Sequence, residues 1–216
     1  MKKYDYIFFD FDGTLSDSAP GIVNSVVCAL ERMGTPVGDR AALKKYVGPP
    51  LFDSFRDFAG YSQTETERAV KYFREYYGEH GINENEMYPG IDTLLRALGA
   101  AGRTCVVATS KPEHFARQIC ARYGIDTLFA HICGSTMDET RTRKAEVVSY
   151  ALEFCGNPDP ARVVMVGDRL HDVAGAKANG LDCIGVLYGY GSRDELVSAG
   201  ADAIAEDIPA LTRLLL

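Results

Sequence analysis

Four aspartates stand where apolar runs stop. Asp10 and Asp12 close YDYIFFDFDGT, and Asp168 and Asp172 lie in GDRLHD, directly after RVVMV. Thr109, Ser110 and Lys111 end a third run, TCVVATSK, and Lys144 opens a helical pattern further on. Carboxylates gathered in a partly dry place repel one another, and each is costly to take out of water. A hard divalent cation resolves that conflict. Mg²⁺ takes oxygen ligands in near-octahedral geometry and is usually held by one or two carboxylates plus waters and phosphate oxygens. Asp10 and Asp168 are the expected ligands, with Asp172 arranging the metal's waters. Taken singly, each residue has a bland alternative: an aspartate at a strand exit can be a turn former, as Gly13 and Thr14 would suit, and Lys144 can be a solvated helix-terminal residue. Their joint arrival at one edge is what argues for a site.

That edge must come from the surrounding elements. Strand-like runs are expected at Tyr4–Asp10, Thr104–Thr109, Ala130–Cys133, Arg162–Gly167, Cys183–Leu187 and Ala203–Ala205. Three of them are continuous and β-branched, as strands buried on both faces should be. Helical patterns separate them, at Ile91–Ala101, Glu113–Tyr123, Lys144–Phe154, Val173–Asn179, Arg193–Ala199 and Ile208–Leu215. Gly102, Gly124, Gly156, Gly180 and Gly200 stand at helix C-cap positions. The alternation predicts an α/β fold, a doubly wound parallel sheet, and ligands of such sheets bind at the carboxyl ends of the strands.

One stretch breaks the rhythm. Residues 17–87 hold no convincing strand, and four helices are expected there, at Pro20–Met33, Arg40–Tyr46, Leu51–Phe58 and Gln63–Tyr77. Ser62 and Glu65 form a capping box for the last. A block this long exceeds an ordinary crossover, so it reads as a helical insertion into a core formed by residues 1–16 and 88–216.

Composition narrows the partners. The chain of 216 residues is 46% hydrophobic and 25% charged, which supports a substantial core. A formal net charge of −7 disfavours nucleic-acid polymers and anionic membranes, while leaving room for a small anionic substrate in a local positive pocket. Six scattered cysteines with no CxxC pair are expected as free thiols in a reducing cytosol. No apolar run approaches the roughly 20 residues that span a bilayer. A cytoplasmic monomer or homodimer is expected.

The order DFDGT, VVATSK, Lys144 and VGDRLHD resembles the four motifs of the haloacid dehalogenase superfamily, and the helical block resembles that superfamily's small C1 cap. The segments MYPGI, TSKPEHFARQI and LYGYGSRDEL are most similar to its phosphoglycolate phosphatase-like and 5′-nucleotidase-like branches. The resemblance implies a Rossmann-like core and a Mg²⁺-dependent phosphatase. It implies Asp10 as nucleophile, forming an aspartyl-phosphate, and Asp12 as general acid and then base, its backbone carbonyl completing the metal shell. It further implies Thr109 or Ser110 as a phosphoryl hydrogen-bond donor, and Lys144 as the cation that neutralises Asp10 and the transferring group. An aspartate at position 12 favours a phosphate ester: similar dehalogenases lack that acid, and P-type ATPases carry threonine there.

Within the insertion, Lys45, Gly48 and Arg56 are candidate specificity residues. Lys45 and Arg56 could bind a second anionic group or belong to a solvated helix face. Phe52, Phe55, Phe58 and Tyr61 fit an insertion core better than a stacking surface for a base. His114 and His171 lie beside motifs without an assigned role. The expected function is hydrolysis of a small-molecule phosphate monoester, phosphoglycolate or a nucleoside 5′-monophosphate. Inorganic pyrophosphate hydrolysis, a β-phosphoglucomutase-like phosphotransfer and a non-catalytic binding role are the alternatives.

Overall fold

A computed structural model describes residues 4–138 and 140–216. In chain order, β1 (Tyr6–Phe9) and the two-residue β2 (Ser16–Asp17) precede α1 (Ala19–Arg32), α2 (Leu51–Ala59) and α3 (Gln63–Glu79). Another two-residue strand, β3 (Glu86–Met87), leads to α4 (Ile91–Ala100), β4 (Thr104–Pro112), α5 (Glu113–Arg122), β5 (His131–Ser135) and α6 (Lys144–Phe154). The chain ends with β6 (Val163–Gly167), α7 (Leu170–Ala178), β7 (Asp182–Val186), α8 (Arg193–Ala199), β8 (Ala203–Ala205) and α9 (Ile208–Leu215). The residues fall into two compact units, Met1–Ser16 with Met87–Leu216, and Asp17–Glu86.

The larger unit is built on a six-stranded sheet in the order β5-β4-β1-β6-β7-β8, with every pair parallel. Its central strands are apolar throughout: Ile7, Phe8 and Phe9 of β1 and all five residues of β6 are buried. Helices cover the sheet, α6 packing on β4 and β5, and α7 on β6 and β7. From β1 the chain builds outward through β4 and β5, then returns to build the other side from β6. The strand order therefore reverses around β1, and the ends of β1, β4 and β6 open side by side at the place where such sheets bind ligands.

The smaller unit packs α1 against α3 and α2 against α3. A β-carbon on Gly21 would lie 2.1 Å from the carbonyl oxygen of Gly81, so only glycine admits that close approach. Phe55 is fully buried in an aromatic cluster with Tyr46, Tyr61 and Phe73, which accounts for Phe55 and Tyr61 of the aromatic stripe as packing, whereas Phe58 is exposed and lies edge-on to Tyr46. Ser62 is the N-cap residue of α3, and Glu65 accepts both its backbone N–H at 2.9 Å and its hydroxyl at 2.6 Å.

One expected helix is different. Arg40–Tyr46 is a 3-10 stretch, so the unit holds three α-helices rather than four. The segment is short, opened by the Asp39 cap on Ala41 and closed by Val47 in an extended conformation ahead of Gly48-Pro49-Pro50.

Candidate active site

The site is assembled by strand ends. β1 stops at Phe9, and the backbone N–H of Asp10 still donates to Val166 of β6 at 2.9 Å, which anchors Asp10 at the sheet edge. A tight turn follows, with the N–H groups of Thr14, Leu15 and Ser16 all directed at the carbonyl of Phe11 and Gly13 at φ 86°. Asp12 is thereby turned back beside Asp10. From the end of β6, Asp168 enters fully buried, and Asp172 follows from the first turn of α7 at 1% exposure.

Carboxylate oxygens of Asp10, Asp168 and Asp172 lie within 4.8 Å of one another. Lys144, at the start of α6, fills the space beside them. Its Nζ donates to Asp10 Oδ1 at 2.6 Å and to the Ala108 carbonyl at 3.2 Å, and it lies 2.8 Å from Asp172 Oδ1. Asp12 has a separate cation: Lys111 Nζ reaches its Oδ1 at 2.8 Å and its Oδ2 at 3.2 Å. The cluster thus sets four carboxylates against two lysines. Two negative charges remain, the complement of one divalent cation.

The electrostatics carry the same imbalance. Burial, then the neighbouring Asp172, pushes the Asp10 carboxyl up to about 6 despite Lys144. Burial, then Asp172 and Asp10, raises Asp168 as well. Burial alone would lower the Lys144 ammonium, but Asp10 and Asp172 outweigh it and hold it charged. An oxygen-rich, net-negative, buried donor set of this kind fits a hard cation such as Mg²⁺.

Thr109 is buried, and its Oγ1 accepts the backbone N–H of Lys111 at 3.2 Å, leaving its own proton available to a ligand. Ser110, half-buried, is its neighbour on β4. Lys45, Gly48 and Arg56 belong to the smaller unit. There Lys45 Nζ lies 4.7 Å from the centre of the Phe58 ring, Gly48 takes φ 103°, and Arg56 pairs with Asp57 at 2.7 Å and Asp53 at 3.0 Å. His171 flanks Asp172, and burial lowers its imidazole below the usual range. His114 packs on Phe115.

Sequence reasoning missed the residues that hold Asp168. Tyr190 N–H donates to Asp168 Oδ2 at 2.7 Å, and Thr14 Oγ1 donates weakly to Oδ1 at 3.4 Å. Tyr188 Oη donates to the Thr14 carbonyl at 3.1 Å, tying the two loops together. The only signal in the sequence was the glycine spacing of LYGYGS. A β-carbon on Gly189 would fall 2.4 Å from Asp168 Cβ, and one on Gly191 only 1.9 Å from the Asp168 carbonyl oxygen. Gly189→Ala is expected to displace Asp168 and weaken Mg²⁺ binding by about tenfold or more, the usual size of an outer-shell defect. Calorimetric titration with Mg²⁺ would measure it, and unchanged affinity would show that the loop does not set the position of this carboxylate.

The model of the haloacid dehalogenase-like hydrolase family matches residues 7–186. A 5′-nucleotidase of Pseudomonas aeruginosa is 42% identical over 213 residues, covering 99% of this chain and 96% of that protein. The tyrosine-protein kinase PtkA of Mycobacterium tuberculosis is 43% identical over 188 residues, 87% of this chain and 64% of its own length. Among solved structures, a predicted phosphatase from Clostridium acetobutylicum superposes with a TM-score of 0.95 at 40% identity, covering 98% of both chains.

Proposed function

The chain belongs to the haloacid dehalogenase-like hydrolase family, and on that premise we propose that it is a Mg²⁺-dependent phosphatase of small phosphorylated metabolites. The observation that carries this reading is the charge count of the buried cluster, in which one divalent cation completes what two lysines leave unbalanced. Asp10, Asp168 and Asp172, with the carbonyl of Asp12, are the residues to hold the metal. Bound there, Mg²⁺ would offset the charge of the phosphate and lower the repulsion it meets from the attacking carboxylate.

The chain's own groups divide the remaining work. Lys144 occupies Asp10 Oδ1 and leaves Oδ2 to attack phosphorus. As the Asp10–phosphorus bond forms, the ester bond breaks, and Asp12 hands a proton to the departing oxygen. Asp12 then takes a proton from water as the water oxygen bonds phosphorus and the Asp10–phosphorus bond breaks, releasing phosphate. The Thr109 hydroxyl donates to a phosphoryl oxygen, with Ser110 beside it, and Lys144 balances charge in both steps.

For the substrate, the likeness to a protein named 5′-nucleotidase supports a nucleoside 5′-monophosphate, and the flanking segments retain phosphoglycolate beside it. The smaller unit is proposed as the cap, with Lys45, Gly48 and Arg56 as candidate specificity residues. Arg56 already meets two carboxylates, which favours a solvated face for that residue. A second reading, transfer of the phosphoryl group to an acceptor hydroxyl other than water, is supported by the likeness to a protein named tyrosine-protein kinase. Phosphate release across a panel of phosphorylated metabolites, with Mg²⁺ and with chelator, tests the proposal. Chelator-sensitive release from one compound class supports hydrolysis; release only when an acceptor is added, with the phosphoryl group recovered on it, points to the second reading.

A further inference from the structure

In the sequence Lys111 stands with Thr109 and Ser110 at the end of an apolar run, without a role of its own, and the fold gives it a specific station. Its side chain is 3% exposed and paired with a carboxylate that is itself 11% exposed. Both Asp12 oxygens are engaged by the same ammonium, so the carboxylate cannot rotate freely. A break in sheet register puts Lys111 there. Ala108 lies opposite Cys133, yet Pro112 lies opposite Ser135, so β4 uses four residues where β5 uses two. The surplus carries Thr109, Ser110 and Lys111 at the strand end, in the manner of a bulge that re-aims side chains. Gly134 makes room for it, since a β-carbon there would lie 2.6 Å from the Lys111 carbonyl oxygen.

Buried ion pairs are poor stabilisers, because desolvation offsets much of their attraction. A pair kept at this position is better explained by what it orients. We propose that Lys111 is the positioning residue for Asp12: it fixes the carboxyl group that exchanges the proton and balances the charge left when that proton departs. The proposal rests on the phosphatase reading above. In the first displacement the ester P–O bond breaks, the Asp12 proton goes to the leaving oxygen, and the resulting carboxylate stands beside Lys111. In the second, Asp12 takes a proton from water, and the Lys111 ammonium keeps its three hydrogens throughout.

This assignment predicts a dependence on the leaving group. Release of an alkoxide needs the proton from Asp12, whereas p-nitrophenolate departs without one. Initial kcat/KM would be compared for p-nitrophenyl phosphate and for the better of adenosine 5′-monophosphate and 2-phosphoglycolate, in the wild type and in Lys111→Met. The ratio of alkyl to aryl turnover is expected to fall by about tenfold or more in the variant. A loss shared equally by both substrates, or no loss, overturns the proposal, since a merely structural lysine would affect both alike. If Lys111→Met shows no cooperative melt, Lys111→Gln, which keeps a donor but not the charge, is read by the same ratio and decides. A wild type that hydrolyses none of these esters refutes the phosphatase reading itself, and the inference with it.

Discussion

Asp10→Asn is expected to lower phosphate release by about 10⁴-fold or more while leaving the fold intact. The amide keeps an oxygen to accept from Lys144, so the 2.6 Å contact and the anchoring of the backbone N–H to Val166 have no reason to change. It lacks the negative charge and free lone pair that attack phosphorus. It also removes one of three buried carboxylates, and burial first, then their mutual repulsion, raises the Asp10 and Asp168 carboxyls. In chelator, the variant should therefore melt no lower than the wild type. Turnover within tenfold of wild type would show that Asp10 is not the attacking group. A lower melting temperature would show that the pairing with Lys144 outweighs the repulsion.

Lys144→Met should fail in both respects. The ammonium lies within 2.8 Å of two buried carboxylates and accounts for half the positive charge in the cluster. Removing one partner of a buried ion pair leaves the other uncompensated, at a cost of about 3–5 kcal/mol. Turnover should drop by about 10²–10³-fold, the usual effect of deleting one preorganised group that stabilises transition-state charge. Mg²⁺ offers a replacement positive charge, so it should raise the melting temperature of the variant more than that of the wild type. Equal shifts in both proteins would argue that Lys144 and the cation do not share the same carboxylates.

The sheet was largely legible because its strands are short, continuous apolar runs. β8 matches its expected bounds, and the other long-range strands differ at their ends by one to three residues. The helices of the larger unit were legible from their periodicity, except that α7 starts at Leu170 rather than Val173. In its first turn Leu170 is exposed and the buried residue is Asp172 of the site, so no apolar period marks it. Two-residue strands carry too few side chains to show a period, and β2 and β3 went unread. The main members of the carboxylate cluster could be read because charge at the end of an apolar run is conspicuous. Their supports could not, because they act through backbone and space: a Tyr190 N–H, a register shift that delivers Lys111, and glycines required by a neighbour rather than by a turn. Gly175 in α7 is the clearest case. A glycine inside a helix ordinarily costs about 1 kcal/mol relative to alanine, and here it leaves room for the stem of Lys144, whose Cγ would be 2.5 Å from an added β-carbon.

The order in which the sheet is threaded also bears on how the chain comes to fold. β1 is flanked by β4 and β6, yet the whole of Asp17–Glu86 separates it from the first of these in sequence. As the chain leaves a ribosome, the smaller unit is complete before either neighbour of β1 has been made. A bare apolar strand, Tyr6–Phe9, must therefore wait through nearly half of synthesis for its first neighbour, Thr104–Pro112, and longer still for its second, Val163–Gly167. Folding of the smaller unit shortens that wait in space by drawing residues 17 and 86 to the two paired strands β2 and β3, which closes the long loop early. The helical insertion would then act as an internal folding aid, and its destabilisation should slow acquisition of the larger sheet more than it weakens the finished one.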